Sequence, residues 1–200
     1  GGREVKKLLI LASFAVVGAA NAVTFTNSQL SSDIPTTSVD VISGTSIKRV
    51  FTNFVLTANV PTANVAWAFD FDSMAGSNPI PSFSAVKFTV RGTLTGAQGG
   101  VFGTEYVYNT ANAPVQAGSG ILAGAATPGA WALTTTIALT PNVTEGQVQK
   151  DIFFAFDTAT GGGMMQIDEI EQEFTPVPEP ATMAGLALGG LALLRRRRKA

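Results

Sequence analysis

Apolar and polar side chains alternate in several short segments between residues 23 and 174. A period of two places the apolar residues of a β-strand on one face and the polar residues on the other. No segment of this region has a helical period, so the pattern predicts about nine strands and no helix. The predicted strands fall within 23–26, 38–42, 49–58, 65–71, 86–91, 101–108, 131–139, 152–157 and 164–174.

Clusters rich in Gly or Pro separate most of these strands, as at 77–81 and 161–163. Many short strands divided by such turns are typical of a β-sandwich. We therefore predict an all-β fold in which residues 23–175 form a single β-sandwich, jelly-roll-like or immunoglobulin-like. Residues 109–130 are rich in Gly and Ala and do not alternate, so we expect a long mobile loop there.

The first 22 residues have the organisation of a secretory signal peptide. Arg3, Lys6 and Lys7 precede an apolar run at 8–17, and small residues follow it. As a helix this run is roughly 15 Å long, which is too short to span a bilayer. Ala20 and Ala22 match the A-x-A cleavage pattern, so we predict export by the Sec machinery and removal of this signal helix by signal peptidase before Val23.

The C-terminal 25 residues have three parts in a fixed order. Val177, Pro178, Glu179 and Pro180 form a proline-rich stretch, and residues 181–194 are uncharged and rich in Leu, Ala and Gly. The last part is a basic cluster made of Arg195, Arg196, Arg197, Arg198 and Lys199. The positive cluster stays in the cytoplasm while the apolar part enters the membrane, so the body faces outward.

The apolar part of this tail is short for a membrane span. Fourteen residues give roughly 21 Å of helix, and a marginal span needs residues 177–180 as well. A short transmembrane helix of this kind suits temporary retention in the inner membrane. An ordinary C-terminal membrane anchor is the alternative.

The tail resembles the PEP-CTERM sorting signal of Gram-negative bacteria over residues 176–200, because all three of its parts are present in order. The resemblance implies that an exosortase, a membrane-embedded cysteine protease or transpeptidase, recognises Pro178, Glu179 and Pro180 and removes the tail. It also implies an association with exopolysaccharide and biofilm matrix. Members of this family share the tail and not the body, so the resemblance gives an address rather than an activity.

Composition narrows the chemistry of the body. The chain contains no Cys and no His, which excludes disulfides, thiol nucleophiles, Ser-His-Asp triads and ordinary zinc sites. Residues 23–176 contain 12 acidic and 5 basic residues, a net charge of −7. A body this acidic repels phosphate backbones, so we expect no nucleic-acid partner.

Two groups of acids are candidate cation sites. Asp70, Asp72 and Asp157 are predicted at strand ends, where carboxylates could bind Ca²⁺, although Asp is also a common turn former. A second group, Asp168, Glu169, Glu171 and Glu173, forms an acidic strand near the tail. We interpret that strand as a charged edge that discourages aggregation, with cation or partner binding as the alternative. We expect no firm metal site and no cofactor other than this calcium candidate.

Aromatic residues give the candidate ligand site. Tyr106 and Tyr108 share one face of a predicted strand and are the best candidates for stacking against sugar rings. Trp67 and Trp131 fall on apolar faces, so we expect them in the core. The patterns together favour a non-enzymatic surface or extracellular-matrix protein of structural or adhesive type. A carbohydrate-binding module for exopolysaccharide is the alternative, and a hydrolase with paired carboxylates is the third hypothesis.

Overall fold

The computed structural model describes residues 23–75, 80, 82–96, 98–110, 114–157 and 163–177. These residues form eleven strands: β1 (Thr24–Ser32), β2 (Ser38–Ser43), β3 (Ser46–Phe51), β4 (Val55–Thr57), β5 (Thr62–Asp72), β6 (Phe83–Thr95), β7 (Gly99–Asn109), β8 (Val115–Ala126), β9 (Gly129–Val143), β10 (Glu145–Phe156) and β11 (Met164–Pro176). Within the described part of the chain, no helix is long and apolar enough to cross a membrane. The predicted signal helix and C-terminal helix lie outside the described residues.

The strands form two antiparallel sheets. The first sheet has the order β1-β5-β10-β7-β8, and the second has the order β2-β3-β11-β6-β9, with β4 also paired to β11. If the edge strands β1 and β2 and the short β4 are set aside, the remaining eight strands follow the double Greek-key order of a jelly roll. The all-β prediction is confirmed, and the strand order is that of the jelly-roll-like alternative.

The core lies between the two sheets because each strand turns its apolar face inward. Phe71 of the first sheet packs on Phe174 of the second, with ring centroids 4.6 Å apart. Phe54 and Phe154 make a second contact across the sandwich at 5.4 Å. Trp67 and Trp131 are both buried, as the alternation predicts. Burial of apolar surface, at about 25 cal/mol per Å², is the main force that holds the two sheets together.

The Gly/Ala-rich stretch is a strand and not the predicted long loop. Residues Val115–Ala126 form β8, the edge strand of the first sheet, which pairs with β7 along its length. Its glycines face β9, where a Cβ on Gly120 would lie 2.4 Å from Ile137 and one on Gly124 would lie 2.6 Å from Leu133. The large side chains on β9 therefore need small residues opposite them on β8. Because of these small residues, β8 lacks the alternation of apolar and polar side chains by which the other strands were predicted.

The acidic strand, β11, is central and not an edge. It pairs with β3 and β4 on one side and with β6 on the other. Its outward acids meet cations on these neighbours: Arg91 Nη1 donates to Glu169 and, at 2.6 Å, to Glu171. The aggregation role predicted for this strand is therefore wrong, because paired strands cover both of its sides.

Strict alternation along the strand predicts that Asp168 lies on the inner face with Ile170, and a β-bulge in β11 makes this prediction wrong. The register with β6 shifts between Ile167 and Glu169. Asp168 is consequently half-buried on the outer side, where it accepts a hydrogen bond from Gln166 at 2.7 Å, instead of pointing inward with Ile170.

Candidate functional site

The outer face of the first sheet carries a group of exposed aromatic side chains. Outward positions of β7 and β10 are direct register partners: Phe102 lies opposite Phe153, and Tyr106 lies opposite Gln149. Phe102 is 49% exposed and Phe153 is 40% exposed, which is unusual for two paired phenylalanines. Strand geometry, not loop structure, therefore sets the spacing of these side chains.

Tyr106 and Tyr108 form a stacked pair on this face. Their ring centroids are 6.4 Å apart and the planes differ by 28°. Phe102 is six residues from Tyr108 on the same strand, so the aromatic residues of β7 extend over about 20 Å. The two tyrosines share one face, as their spacing predicts, and Phe102 and Phe153 lie on the same face. Sugar stacking on these rings stays a prediction.

Three adjoining depressions follow one another across the strands of the same sheet, and we call them together the groove. The first, of about 360 Å³, lies beside Phe102, Phe153 and Asp151. The second, of about 280 Å³, continues toward β1 over Ala66 and Ala68. The third, of about 430 Å³, continues toward β8 between Tyr106 and Ile121. Small residues at the centre of the sheet and larger ones around them produce this shape.

Polar groups in the groove are of two kinds. Asp33 is held in place, because the backbone and side-chain nitrogens of Asn64 donate to its Oδ2 at 3.0 and 2.8 Å. Gln149 belongs to a hydrogen-bonded chain in which its Nε2 donates to Gln147 at 2.6 Å. Asp151 has no hydrogen-bond partner among the described residues, so its carboxylate remains available to accept a hydrogen bond from a ligand.

The three calcium candidates do not form one site. Asp72 lies opposite Glu145 where β10 begins, whereas Asp157 follows the opposite end of that strand. The separation is at least ten residues of extended chain, or roughly 33 Å. Asp72 instead accepts hydrogen bonds from the backbone nitrogens of Met74 and Ala75 in a turn.

Asp70 is engaged in a different way. It accepts hydrogen bonds from Asn27 at 2.6 Å and from Gln147 at 3.1 Å. The described residues contain no cluster of three acidic side chains that could hold a metal ion.

A buried polar group was missed in the sequence. Glu105 of β7, Lys150 of β10 and Gln172 of β11 are all fully buried between the sheets. Lys150 Nζ lies 3.8 Å from Glu105 Oε2, and Gln172 Nε2 donates to Glu105 Oε1 at 2.8 Å. The signal was available, because Lys150 occupies an apolar phase of β10 together with Val148 and Ile152.

The start of the tail is the last functional feature that the structure reaches. β11 ends at Pro176, and the Val177 nitrogen donates to the Ser82 carbonyl at 2.9 Å. The other predicted sorting and processing residues lie outside the described residues, namely Ala20, Ala22, Pro178, Glu179, Pro180, Arg195, Arg196, Arg197, Arg198 and Lys199.

A family model described as the PEP-CTERM protein-sorting motif matches residues 176–199. The chain carries a PEP-CTERM sorting signal. This confirms the resemblance inferred from the tail, and the signal implies export through a membrane-anchored intermediate and sorting by an exosortase-type enzyme. The match covers the tail alone, so the PEP-CTERM signal says nothing about the ligand of the body.

The body has distant structural likenesses. The TmCBM61 structure, solved with beta-1,4-galactotriose, is 10% identical at a TM-score of 0.34, over 74% of this chain and 88% of that chain. The family 11 carbohydrate-binding module of a Clostridium thermocellum cellulase is 10% identical at a TM-score of 0.27, over 79% and 88%. The tailspike protein 4 domain of bacteriophage CBA120 is 10% identical at a TM-score of 0.34, over 78% and 19%.

At these TM-scores the likenesses define neither a family nor a ligand for this chain. The comparison with curated protein sequences gives no match.

Proposed function

We propose that this chain is an exported, non-enzymatic surface or extracellular-matrix protein whose body binds a neutral polysaccharide in the groove of the first sheet. The observation that carries the proposal is the open groove that runs between the stacked Tyr106–Tyr108 pair and the exposed Phe102–Phe153 pair. An adhesive role of this kind combines the aromatic groove on the surface of the body with the sorting signal in the tail.

The chemistry of the groove suits sugars. The faces of sugar rings carry C–H groups, which pack on aromatic rings, and their edges carry hydroxyls that need donors and acceptors. Tyr106 and Phe102 supply the aromatic surface, while Gln149, Asp151 and Thr104 supply the polar groups. The groove is open along its length, so an extended chain would fit it better than a compact small molecule.

Charge favours a neutral glycan over an acidic one. Asp33 and Asp151 both line the groove, and Asp70 lies farther along the same face. These carboxylates would repel uronic acids or sulfate groups at close range. The net charge of −7 over residues 23–176 adds to that repulsion.

The sorting signal supports the cellular setting of this proposal. An exported body that is first held at the membrane and then released or attached would meet envelope or matrix polysaccharide directly. A glycan-holding role also needs no catalytic group, in keeping with a chain that has neither Cys nor His.

The test is binding of the full chain to neutral and acidic polysaccharides, measured by affinity electrophoresis and calorimetry. Neutral glycans should retard the wild-type chain, and replacing Phe102 and Phe153 together with Ala should abolish the retardation. The matched control replaces Val39 and Val41 on β2, which are exposed to a similar degree on the other sheet. Equal binding by both double variants would overturn the assignment to this face, and release of reducing ends would indicate a hydrolase instead.

A further inference from the structure

Three polar side chains meet at the centre of the sandwich, away from the groove's open surface. Glu105 and Lys150 are direct register partners in the first sheet. Gln172 points at them from β11 of the second sheet, and all three have essentially no exposed surface. The group therefore bridges the space between the two sheets.

The Glu105 carboxylate lies between the other two groups. Its Oε1 accepts a hydrogen bond from Gln172 Nε2 at 2.8 Å, and its Oε2 is 3.8 Å from Lys150 Nζ. Neither Lys150 Nζ nor Gln172 Oε1 has a hydrogen-bond partner among the described residues. Such orphaned polar atoms are rare in a buried core and need an explanation.

Aromatic rings enclose the Lys150 amine on its other sides. Its Nζ is 4.7 Å from the ring centroid of Trp67 and 4.6 Å from that of Phe69. It is also 5.7 Å from the ring of Phe88, which is the register partner of Gln172 in the second sheet. These rings make an apolar site around the amine, which lies on one side of the Glu105 carboxylate while the Gln172 carboxamide lies on the other.

The same surroundings favour the uncharged forms of both ionisable groups. Burial lowers the pKa of Lys150 to about 8, although the nearby Glu105 opposes this shift. Burial also raises the pKa of Glu105 above its usual value. A neutral amine is a nucleophile, and a protonated carboxyl is a proton donor.

We propose that Lys150 and Gln172 join in a covalent amide bond that links the two sheets, with Glu105 as the catalytic proton carrier. The Lys150 Nζ lone pair attacks Cδ of Gln172, and a new C–N bond forms. Glu105 takes a proton from Nζ through Oε2 and supplies a proton to Nε2 through Oε1. The Cδ–Nε2 bond then breaks, ammonia leaves, and Glu105 returns to its starting form, so that no oxidant or reductant is needed.

Position favours Gln172 over Glu105 as the acyl partner. Glu105 contacts the nitrogen that must leave Gln172, whereas no described residue donates a hydrogen bond to Glu105 Oε2. Amide formation also removes the ammonium charge from the core and reduces the buried donors on Lys150 Nζ to a single N–H.

The test is mass spectrometry of the full purified chain. The denatured wild-type protein should be lighter than its sequence by one molecule of ammonia, and trypsin should not cleave after Lys150. Cleavage after glutamate should release Lys150 and Gln172 on separate backbone peptides that remain joined, since Glu169 and Glu171 lie between them. This peptide evidence distinguishes the link from loss of ammonia at an asparagine.

The variants Lys150→Arg, Glu105→Gln and Gln172→Leu should each have the full sequence mass. Gln166→Leu, on the same strand but on its outer side, should still lose ammonia. Circular dichroism checks that each variant is folded. A folded wild-type chain that keeps its full mass after prolonged incubation at pH 9 would overturn the proposal, and so would loss of water with a peptide joined through Glu105.

Discussion

Tyr106 and Tyr108 stack on the outer face of β7 with their ring centroids 6.4 Å apart. Tyr106 is 37% exposed, and Tyr108 is half-buried. The two rings therefore have the spacing of alternate residues in a strand, and Tyr106 presents the more exposed ring of the pair.

Replacing Tyr106 with Ala should weaken polysaccharide binding by at least fivefold, because an aromatic anchor in a binding site contributes more than about 1 kcal/mol. Tyr106→Phe should lose much less, since the ring remains and only the hydroxyl is removed. Calorimetric titration of the folded variants with the same glycan measures both. If the two substitutions had equal effects, the hydroxyl and not the stacking surface would be responsible.

Gly118 of β8 should not tolerate a side chain. A Cβ there would lie 2.7 Å from the Ala138 carbonyl oxygen, which belongs to the backbone and cannot rotate away. We expect Gly118→Ala to lower the free energy of unfolding by about 1–3 kcal/mol, as overpacking does. Gly100→Ala is the control, because its Cβ would meet nothing within 4 Å. Thermal melts of the two variants should differ by several degrees.

Arg91 should stabilise the outer face of the second sheet more than Lys87 does, although both lie on β6. Arg91 forms ion pairs with both Glu169 and Glu171, whereas the ion pair of Lys87 among the described residues is with Glu173 and is about half exposed. The hydrogen bond with Glu171, more than any other contact, raises the pKa of Arg91. We expect Arg91→Ala to cost up to about 1 kcal/mol after solvent screening, and Lys87→Ala to cost about 0.5 kcal/mol or less. Denaturant titration at low and high salt should show the Arg91 effect shrinking with salt.

The stability of Gln172→Leu should rise with pH between about 8 and 10.5. Lys150 is then a free amine whose pKa is lowered to about 8 in the folded protein, against 10.5 in the unfolded chain. Across this interval the unfolded state binds one more proton than the folded state, so the free energy of unfolding increases, by up to about 3 kcal/mol.

The double variant Lys150→Met with Gln172→Leu serves as the control for this pH dependence. Without the amine it should lack the added rise. The wild-type chain should lack it too, because an amide nitrogen does not titrate. Denaturant titrations at pH 8, 9 and 10 compare the three proteins, and a wild-type slope equal to that of Gln172→Leu would argue against the cross-link.

Replacing Pro178, Glu179 and Pro180 with Ala should block sorting. The prediction follows from the matched PEP-CTERM motif, and we expect the unprocessed chain to accumulate in the membrane fraction. Thr182→Ala, just beyond the motif, is the control and should be processed normally. The mass of the surface form identifies processing, and an unchanged mass in the triple variant would exclude recognition of these residues.

The alternation of the sequence was sufficient to predict most of the strands and the inward side of each. Burial alternates along residues 65–71 and 152–157 as predicted, because the burial of a strand residue depends mainly on the face of the strand on which its side chain lies. β8 could not be found in this way. The reason for its glycines is the size of Ile137 and Leu133 on another strand, and that relationship exists only after the chain has folded.

The sequence predicted only those features of the candidate site that lie within a single strand. Tyr106 and Tyr108 could be placed on one face from their spacing, but Phe153 joins Phe102 only through the pairing of β7 with β10. The contacts of Glu105 with Lys150 and with Gln172 likewise need the register of three strands. A charged residue in the apolar phase of a strand was the one local sign of it.

The tail continues directly from β11, which is hydrogen-bonded to neighbours on both sides. While the tail is held in the membrane, any force that pulls the body away from the membrane would be transmitted through β11. Force along β11 would have to break two ladders of hydrogen bonds at once. A central strand of this kind resists extraction far better than a strand at the edge of a sheet. The domain can therefore bear a force applied at its C-terminal end without unfolding.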